Sequence, residues 1–142
     1  MNAQFWNDFI IEGTEDYVGL WQIIRELERE HPTIEIHEIQ VMALDLIQEI
    51  LETGFMKIGM FEYNDDKKLG YQLWELDIDR IIKQLKTEWD ELERTPNIGD
   101  IAWLITTEDG EKEAERIIRE RKKVDPETYI PHIFKHIFDA EP

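Results

Sequence analysis

The sequence contains no cysteine and no serine. Without cysteine there is no disulfide framework, no thiolate metal site and no cysteine nucleophile. Without serine there is no serine nucleophile and therefore no Ser-His-Asp triad. The patterns G-x-G-x-x-G, G-x-x-x-x-G-K-[ST] and H-E-x-x-H, which mark nucleotide and zinc enzymes, are also missing. We therefore predict a protein that is not an enzyme and that uses no cofactor and no metal.

Long hydrophobic runs are also missing. No uninterrupted apolar segment approaches the ~20 residues that a membrane span requires. Residues 1–16 carry acidic rather than basic charges and no long apolar stretch, which does not match a secretory signal. We expect a soluble, cytoplasmic protein that does not act at a membrane.

Basic residues are few. The chain has 16 Lys and Arg against 33 Asp and Glu, which gives a formal net charge of −17. Such a field repels phosphate backbones and anionic lipids, and it attracts basic partners. An acidic surface also keeps a protein soluble without any partner, so both interpretations stay open. The size of the charge favours a basic protein as partner and disfavours nucleic acid.

Hydrophobic residues are sufficient for a folded core. They make up 42% of the 142 residues and include five Trp, six Phe and four Tyr. This length is typical of a single domain, which we predict to span residues 1–142. Apolar residues recur at three- and four-residue spacing in several stretches, and this periodicity predicts amphipathic helices. The predicted helices cover 16–31, 35–53, 77–94, 108–123 and 129–138.

Between these helices the pattern changes to that of strands. Residues 55–76 read as two strands joined by a polar loop, Asn64 to Gly70, which predicts a hairpin. The stretch Thr95 to Asp100 has turn chemistry and is followed by a strand over 101–106. We predict an α+β fold that is mostly helical, with a small antiparallel sheet made of a hairpin plus one strand. The terminal helical extension, 126–139, either packs on this core or docks on another chain.

Two stretches carry a resemblance to winged-helix domains. ETGFMKIG, at residues 52–59, resembles the end of the second helix of the turn unit and the start of the wing. LITTEDGEKEAERI, starting at Leu104, resembles the returning wing strand and the step into the next helix. The resemblance covers a core of residues 16–122, with a helix inserted at 77–95. It implies a DNA-binding fold.

A second resemblance is to a family of small bacterial proteins that brings no known chemistry with it. It rests on YVGLW, on ILETGFMKIG and on a spaced set of residues after them. It implies a bacterial source and a self-contained domain, with an immunity or antitoxin role as one possibility. The spaced residues are Trp89, Pro96, Gly99, Asp100 and Trp103.

The helix that would read DNA in a winged-helix domain is acidic here. Residues 33–54 contain no Lys or Arg, and Lys67 and Lys68 at the hairpin tip follow two aspartates. DNA readers present basic residues to phosphates, so the charges disfavour duplex binding. We predict instead a basic protein partner, as for an immunity protein or antitoxin against a bacterial nuclease toxin. A winged-helix transcription regulator is the alternative. The predicted partner-binding residues are Glu35, Glu38, Asp45, Glu49, Glu52, Asp65 and Asp66.

Two histidines suggest a metal at first sight. His132 and His136 are four residues apart, a spacing that lets two imidazoles share a metal on a helix, and Asp139 follows one turn later. The same spacing arises by chance on any polar helix face. We therefore predict no metal site.

Two further groups have the ingredients of catalysis. Glu35-x-His37-Glu38 combines carboxylates with an imidazole, but the sequence shows no partner that would orient them, and a surface-exposed helix start is the favoured interpretation. Asp100, close to Trp103, is either a carboxylate beside an aromatic pocket or the end of a turn that accepts backbone hydrogen bonds. The turn chemistry favours the second interpretation, and Trp103 then belongs to the packing of the strand.

Overall fold

The computed structural model describes residues 3–63 and 65–135. These residues form five α-helices, one 3-10 turn and a four-stranded antiparallel sheet, which confirms the predicted α+β class. Within them, no helix has both the length and the apolar content that crossing a membrane would require. The elements are α1 (Ala3–Glu15), β1 (Val18–Gly19), α2 (Leu20–Glu30), α3 (Ile36–Thr53), β2 (Met56–Tyr63), β3 (Leu69–Leu73), α4 (Ile78–Leu92), β4 (Trp103–Thr106), α5 (Glu108–Val124) and the 3-10 turn His132–Phe134.

The sheet has the strand order β1-β4-β2-β3. The predicted hairpin is confirmed, because β2 pairs with β3 from Gly59 opposite Leu73 onwards. The predicted later strand is also confirmed, and β4 lies between β2 and β1 with Leu104 opposite both Ile58 and Val18. The two-residue strand β1 is an addition that the sequence pattern did not predict, since it is too short to show an alternation.

The N-terminal part differs from the prediction. The helix expected over 16–31 begins only at Leu20, because the two residues before it pair with β4. Helix α1 precedes it and was not predicted. The N-cap of α2 is Gly19, whose backbone N–H donates to Oε1 of Gln22 at 2.6 Å.

The core lies between the helices and one face of the sheet. Helix α1 packs against α5 and β4, and α3 packs against α2 and α4. The apolar faces predicted for α2, α3, α4 and α5 supply buried residues to this core, and burial of large aliphatic side chains is the main stabilising contribution. The largest fully buried side chains are Ile10, Leu20, Ile23, Ile24, Leu27, Leu46, Ile47, Ile50, Met56, Ile58, Leu85 and Leu104.

The segment after α5 is less helical than predicted. Residues 128–131 form no helix and only His132–Phe134 make a 3-10 turn, while 136–138 lie outside the described residues. Pro131 explains this, because proline disfavours helical geometry in the residue before it. Phe134 is buried in the core and Ile130 packs against it, so this part of the extension packs on its own chain.

Candidate functional site

Helix α3 carries four of the predicted carboxylates on one stripe. Spacings of seven, four and three residues bring them to the same side of the helix, since 3.6 residues make one turn. All four are exposed, while the opposite side of α3 is buried in the core. We call this set the α3 acidic stripe: Glu38, Asp45, Glu49 and Glu52.

The stripe is not neutralised by neighbouring residues. In the part of the chain that the structure describes, the carboxylates of Glu38, Asp45 and Glu49 have no ion pair and no hydrogen bond. Glu52 accepts one hydrogen bond from Nε2 of Gln48 at 3.1 Å, which leaves its charge unchanged. The four charges therefore face solvent together.

One apolar side chain accompanies these charges. Val41 is 55% exposed and lies three residues after Glu38 and four before Asp45, so it sits between them on the same face. Ile36, at the start of α3, is 68% exposed, but it is two residues before Glu38 and therefore lies on a different side of the helix. Val41 was not predicted, although its charged neighbours at helical spacing were the signal that could have identified it.

Glu35 lies at one end of the stripe. It is the N-cap residue of α3, and its carboxylate lies 3.3 Å from Nδ1 of His37. Both side chains are exposed, and no third group orients the imidazole among the described residues. An exposed helix start is therefore what the structure shows for Glu35-x-His37-Glu38.

The two predicted aspartates of the hairpin lie apart from α3. Asp65 and Asp66 are exposed in the loop between β2 and β3. Strand β2, eight residues long, separates this loop from the end of α3 by roughly 25 Å. The structure therefore divides the seven predicted residues into the α3 acidic stripe with Glu35 and a second acidic position at the hairpin loop.

Comparison with protein-family models, with curated proteins and with solved structures finds no match to this chain. The winged-helix resemblance stays a prediction.

Asp100 ends a turn, as its sequence context predicted. Its Oδ2 accepts the backbone N–H of Asn97 at 2.7 Å and a hydrogen bond from Arg94 at 2.6 Å. The Arg94 guanidinium, followed by the Asn97 N–H, holds the pKa of the Asp100 carboxyl below its usual range. The two groups that donate to Oδ2 of Asp100 both come from the same stretch of chain, 94–100, so the interpretation of Asp100 as the end of a turn is confirmed.

Of the two histidines that are four residues apart, His132 lies among the described residues. His132 is exposed, and its backbone N–H donates to Oε1 of Glu15 at 3.0 Å. His136 and Asp139 lie outside the described residues. Among residues 3–63 and 65–135, no three His, Asp or Glu side chains gather as metal ligands would.

A groove of about 550 Å³ opens between α1, α2 and the segment after α5. Within it Arg121 pairs with Asp8 at 2.7 Å, and the Arg25 guanidinium lies 5.4 Å from the ring centre of Trp21. Burial, and then the nearby carboxylates, raise the pKa of Glu12 in this groove. No local sequence pattern predicts this groove, because its walls come from three separate parts of the chain.

Proposed function

We propose that this protein is an acidic protein-binding module that neutralises or regulates a basic partner. Within that class we propose an immunity protein or antitoxin against a bacterial nuclease toxin. The observation that carries the proposal is the α3 acidic stripe, whose charges are aligned, exposed and, within the described residues, not paired with basic side chains. Such a surface complements the positive cleft with which a nuclease holds nucleic acid.

The geometry suggests how the stripe would act. Aligned carboxylates and a net charge of −17 accelerate encounter with a basic protein through long-range steering. Affinity comes mostly from a few anchors that lose water at the centre of an interface. Val41 is such an anchor, because it is apolar, exposed and flanked by carboxylates.

Charge reversal tests the proposal. The triple variant Glu38→Lys, Asp45→Lys and Glu49→Lys changes the stripe, and the partner is the protein retained from native lysate by the unaltered chain. We expect association to slow by about tenfold or more, because steering is lost. Surface plasmon resonance at low and high ionic strength measures this.

The matched control makes the same change of net charge elsewhere. Glu28, Glu91 and Glu127 are exposed acids outside the stripe, and each is changed to Lys. The control should retain most of the association rate. Equal loss in both variants, or binding that does not depend on salt, would overturn the assignment of the stripe.

DNA binding is the competing prediction. A gel-shift assay with DNA from upstream of the gene discriminates the two, since DNA binding weakens steeply as salt rises. We expect no shift. A shift that disappears with increasing salt would contradict the protein-binding proposal and favour a transcription regulator that binds DNA.

We also propose a cytoplasmic location. The complete lack of cysteine supports it, because small domains exported to oxidising compartments commonly depend on disulfides. Fractionation of the native cells with an antibody against the chain tests this. Recovery in the extracellular or envelope fraction would contradict it.

A further inference from the structure

Strand β3 lies at an open edge of the sheet. It is the last strand in the order β1-β4-β2-β3, and among the described residues it pairs with β2 alone. Its five residues, Leu69–Leu73, contain no charge and no proline. Natural edge strands are usually protected by charged residues, prolines or bulges, so this edge is unusually suited to pairing.

The register shows which backbone groups the edge presents. The N–H of Trp74 donates to the carbonyl of Ile58 at 3.0 Å, and hydrogen-bonded pairs alternate along an antiparallel ladder. Gln72 and Gly70 therefore direct their N–H and C=O groups towards β2. The residues whose N–H and C=O groups point away from β2 are Leu69, Tyr71 and Leu73.

The side chains of Leu69, Tyr71 and Leu73 belong to an apolar surface on the outer face of the sheet. Tyr17, Phe61 and Tyr71 form a ring cluster there with centre distances of 4.8 to 5.5 Å. Trp103 extends it, with its ring centre 5.7 Å from that of Phe61. Three side chains near the edge are strongly exposed: Tyr63 by 75%, Leu69 by 57% and Leu73 by 41%.

The charges around β3 indicate which kind of protein segment could pair with this edge. Residues 61–77 contain five carboxylates and two lysines, and the whole chain carries −17. A second copy of this chain would bring the same negative charge to the edge and be repelled. A basic segment would be attracted. The five carboxylates are those of Glu62, Asp65, Asp66, Glu75 and Asp77.

We propose that an extended segment of a basic protein adds to β3 as a fifth strand. Its backbone pairs with Leu69, Tyr71 and Leu73, its apolar side chains extend the outer aromatic face, and its Lys or Arg side chains meet the surrounding carboxylates. This inference rests on the proposed function, because it gives the basic partner a way to attach. Asp65 and Asp66, in the loop before β3, would then lie beside the added strand.

The probe is a synthetic peptide with alternating lysine and valine or tyrosine residues. We expect protection of the outward amides of Leu69, Tyr71 and Leu73 from hydrogen exchange, measured by NMR. The same peptide with N-methyl groups on alternate backbone nitrogens keeps its charge but loses the edge hydrogen bonds. It should bind about tenfold or more weakly, because several hydrogen bonds are lost. Equal binding of the two peptides, or no protection of the three amides at saturating peptide, would overturn the proposal.

A pair of variants tests the same point on the protein. Leu69→Pro removes an outward N–H at the first position of β3, where proline is compatible with a strand, and Leu69→Ala removes only the side chain. We expect peptide binding to weaken more in Leu69→Pro than in Leu69→Ala. Cross-strand contacts between Phe61 and Tyr71, seen by NMR, establish that the hairpin is intact.

The outcomes separate this inference from the proposed function. If reversal of the α3 acidic stripe abolishes partner binding while Leu69→Pro behaves as Leu69→Ala, strand addition is wrong and the acidic module stands. If Leu69→Pro specifically weakens the peptide while stripe reversal leaves partner binding unchanged, strand addition stands and the role of the stripe is wrong.

Discussion

At the scale of single residues, Gly59 shows how closely β2 and β3 approach each other. A Cβ at this position would overlap the carbonyl oxygen of Gln72 on the neighbouring strand. Gly70, in the same hairpin, has open space where its Cβ would be. Two glycines of the same hairpin thus have different roles.

We expect Gly59→Ala to lower the free energy of unfolding by about 1–3 kcal/mol, as overpacking does. Gly70→Ala is the control and should change it by less than about 0.5 kcal/mol. Urea unfolding followed by circular dichroism measures both. Equal effects of the two substitutions would show that the close approach at residue 59 has no energetic consequence.

Asp100 gives a pH-dependent prediction. Its pKa is lower in the folded state than in the unfolded chain, so its charge stabilises the fold above the ordinary Asp range. The contribution is lost as the pH falls through the lowered pKa. Asp100→Asn should therefore reduce stability near neutral pH, by less than about 1 kcal/mol because the pair is exposed to solvent.

The difference between Asp100→Asn and the unaltered protein should disappear in acid. Unfolding midpoints from pH 7 down to about pH 2 test this. Glu127→Gln removes an exposed carboxylate for which the described residues provide no side-chain hydrogen bond, and it is the control. A constant difference across the pH range would mean that charge is not the cause.

Local chemistry made several residues predictable. Thr107 caps α5 by accepting the N–H of Gly110, and Gly54 ends α3 in the left-handed conformation. Both roles depend on residue type and on immediate neighbours, which the sequence displays. The crowding at Gly59 depends on a partner strand, so no local pattern announces it.

At the scale of elements, the helices with clear amphipathic periods were predicted well and the ones at the ends were not. Helices α3, α4 and α5 begin and end within a few residues of their predicted bounds. Helix α1 has a weaker pattern, and its end is determined by the pairing of β1 with a strand 85 residues later in the chain. Pairing over that distance leaves no periodic signal nearby.

The segment after α5 is tied to α1 by Glu15. Its carboxylate accepts the hydroxyl of Tyr129 and the backbone N–H of His132. These bonds lower the pKa of Glu15, so the tether is stable above the ordinary Glu range and is lost as the pH falls through the lowered value. The same contact raises the pKa of Tyr129 to about 12.

We expect Glu15→Gln to lower the Tyr129 pKa towards its ordinary value of 10.0, because the negative acceptor is removed. Absorbance titration of phenolate formation measures it, and subtraction of the Tyr129→Phe titration isolates the signal. Asp16→Asn removes a neighbouring charge without touching Tyr129 and is the control. An unchanged Tyr129 titration in Glu15→Gln would contradict the tether.

At the scale of the whole molecule, the net charge of −17 acts on folding as well as on binding. Carboxylates in a compact protein repel one another, and added salt screens that repulsion. We expect the melting temperature to rise by a few degrees between low salt and about 0.5 M sodium chloride. A melting temperature that does not change with salt would contradict this.

The triple Lys variant of the stripe provides the comparison. Each substitution replaces a negative charge with a positive one and so raises the net charge by two. The three together change the formal charge from −17 to −11. The rise in melting temperature with salt should be smaller in this variant. The control variant at Glu28, Glu91 and Glu127 has the same charge and should behave alike, since screening depends mainly on total charge.

The candidate site was predictable where it depended on one helix. Glu38, Asp45, Glu49 and Glu52 share a face because of helical spacing, which the sequence displays. The separation of the hairpin loop from α3 and the open edge of β3 were not predictable. They depend on the strand order, and strand order is decided by packing across the whole chain.

The pairing of β1 with β4 has a consequence for the order in which the chain folds. The hydroxyl of Thr106 donates to the carbonyl of Ile10, across 96 residues. During synthesis, α1 and β1 are made before β4 and have no strand to join until residue 106 has been added. Contacts between neighbouring segments, such as the β2–β3 hairpin, form quickly, whereas the closing of such a long loop is slow. The contacts of α1 and β1 with β4 are therefore expected to form after the hairpin, although both elements precede the hairpin in the chain.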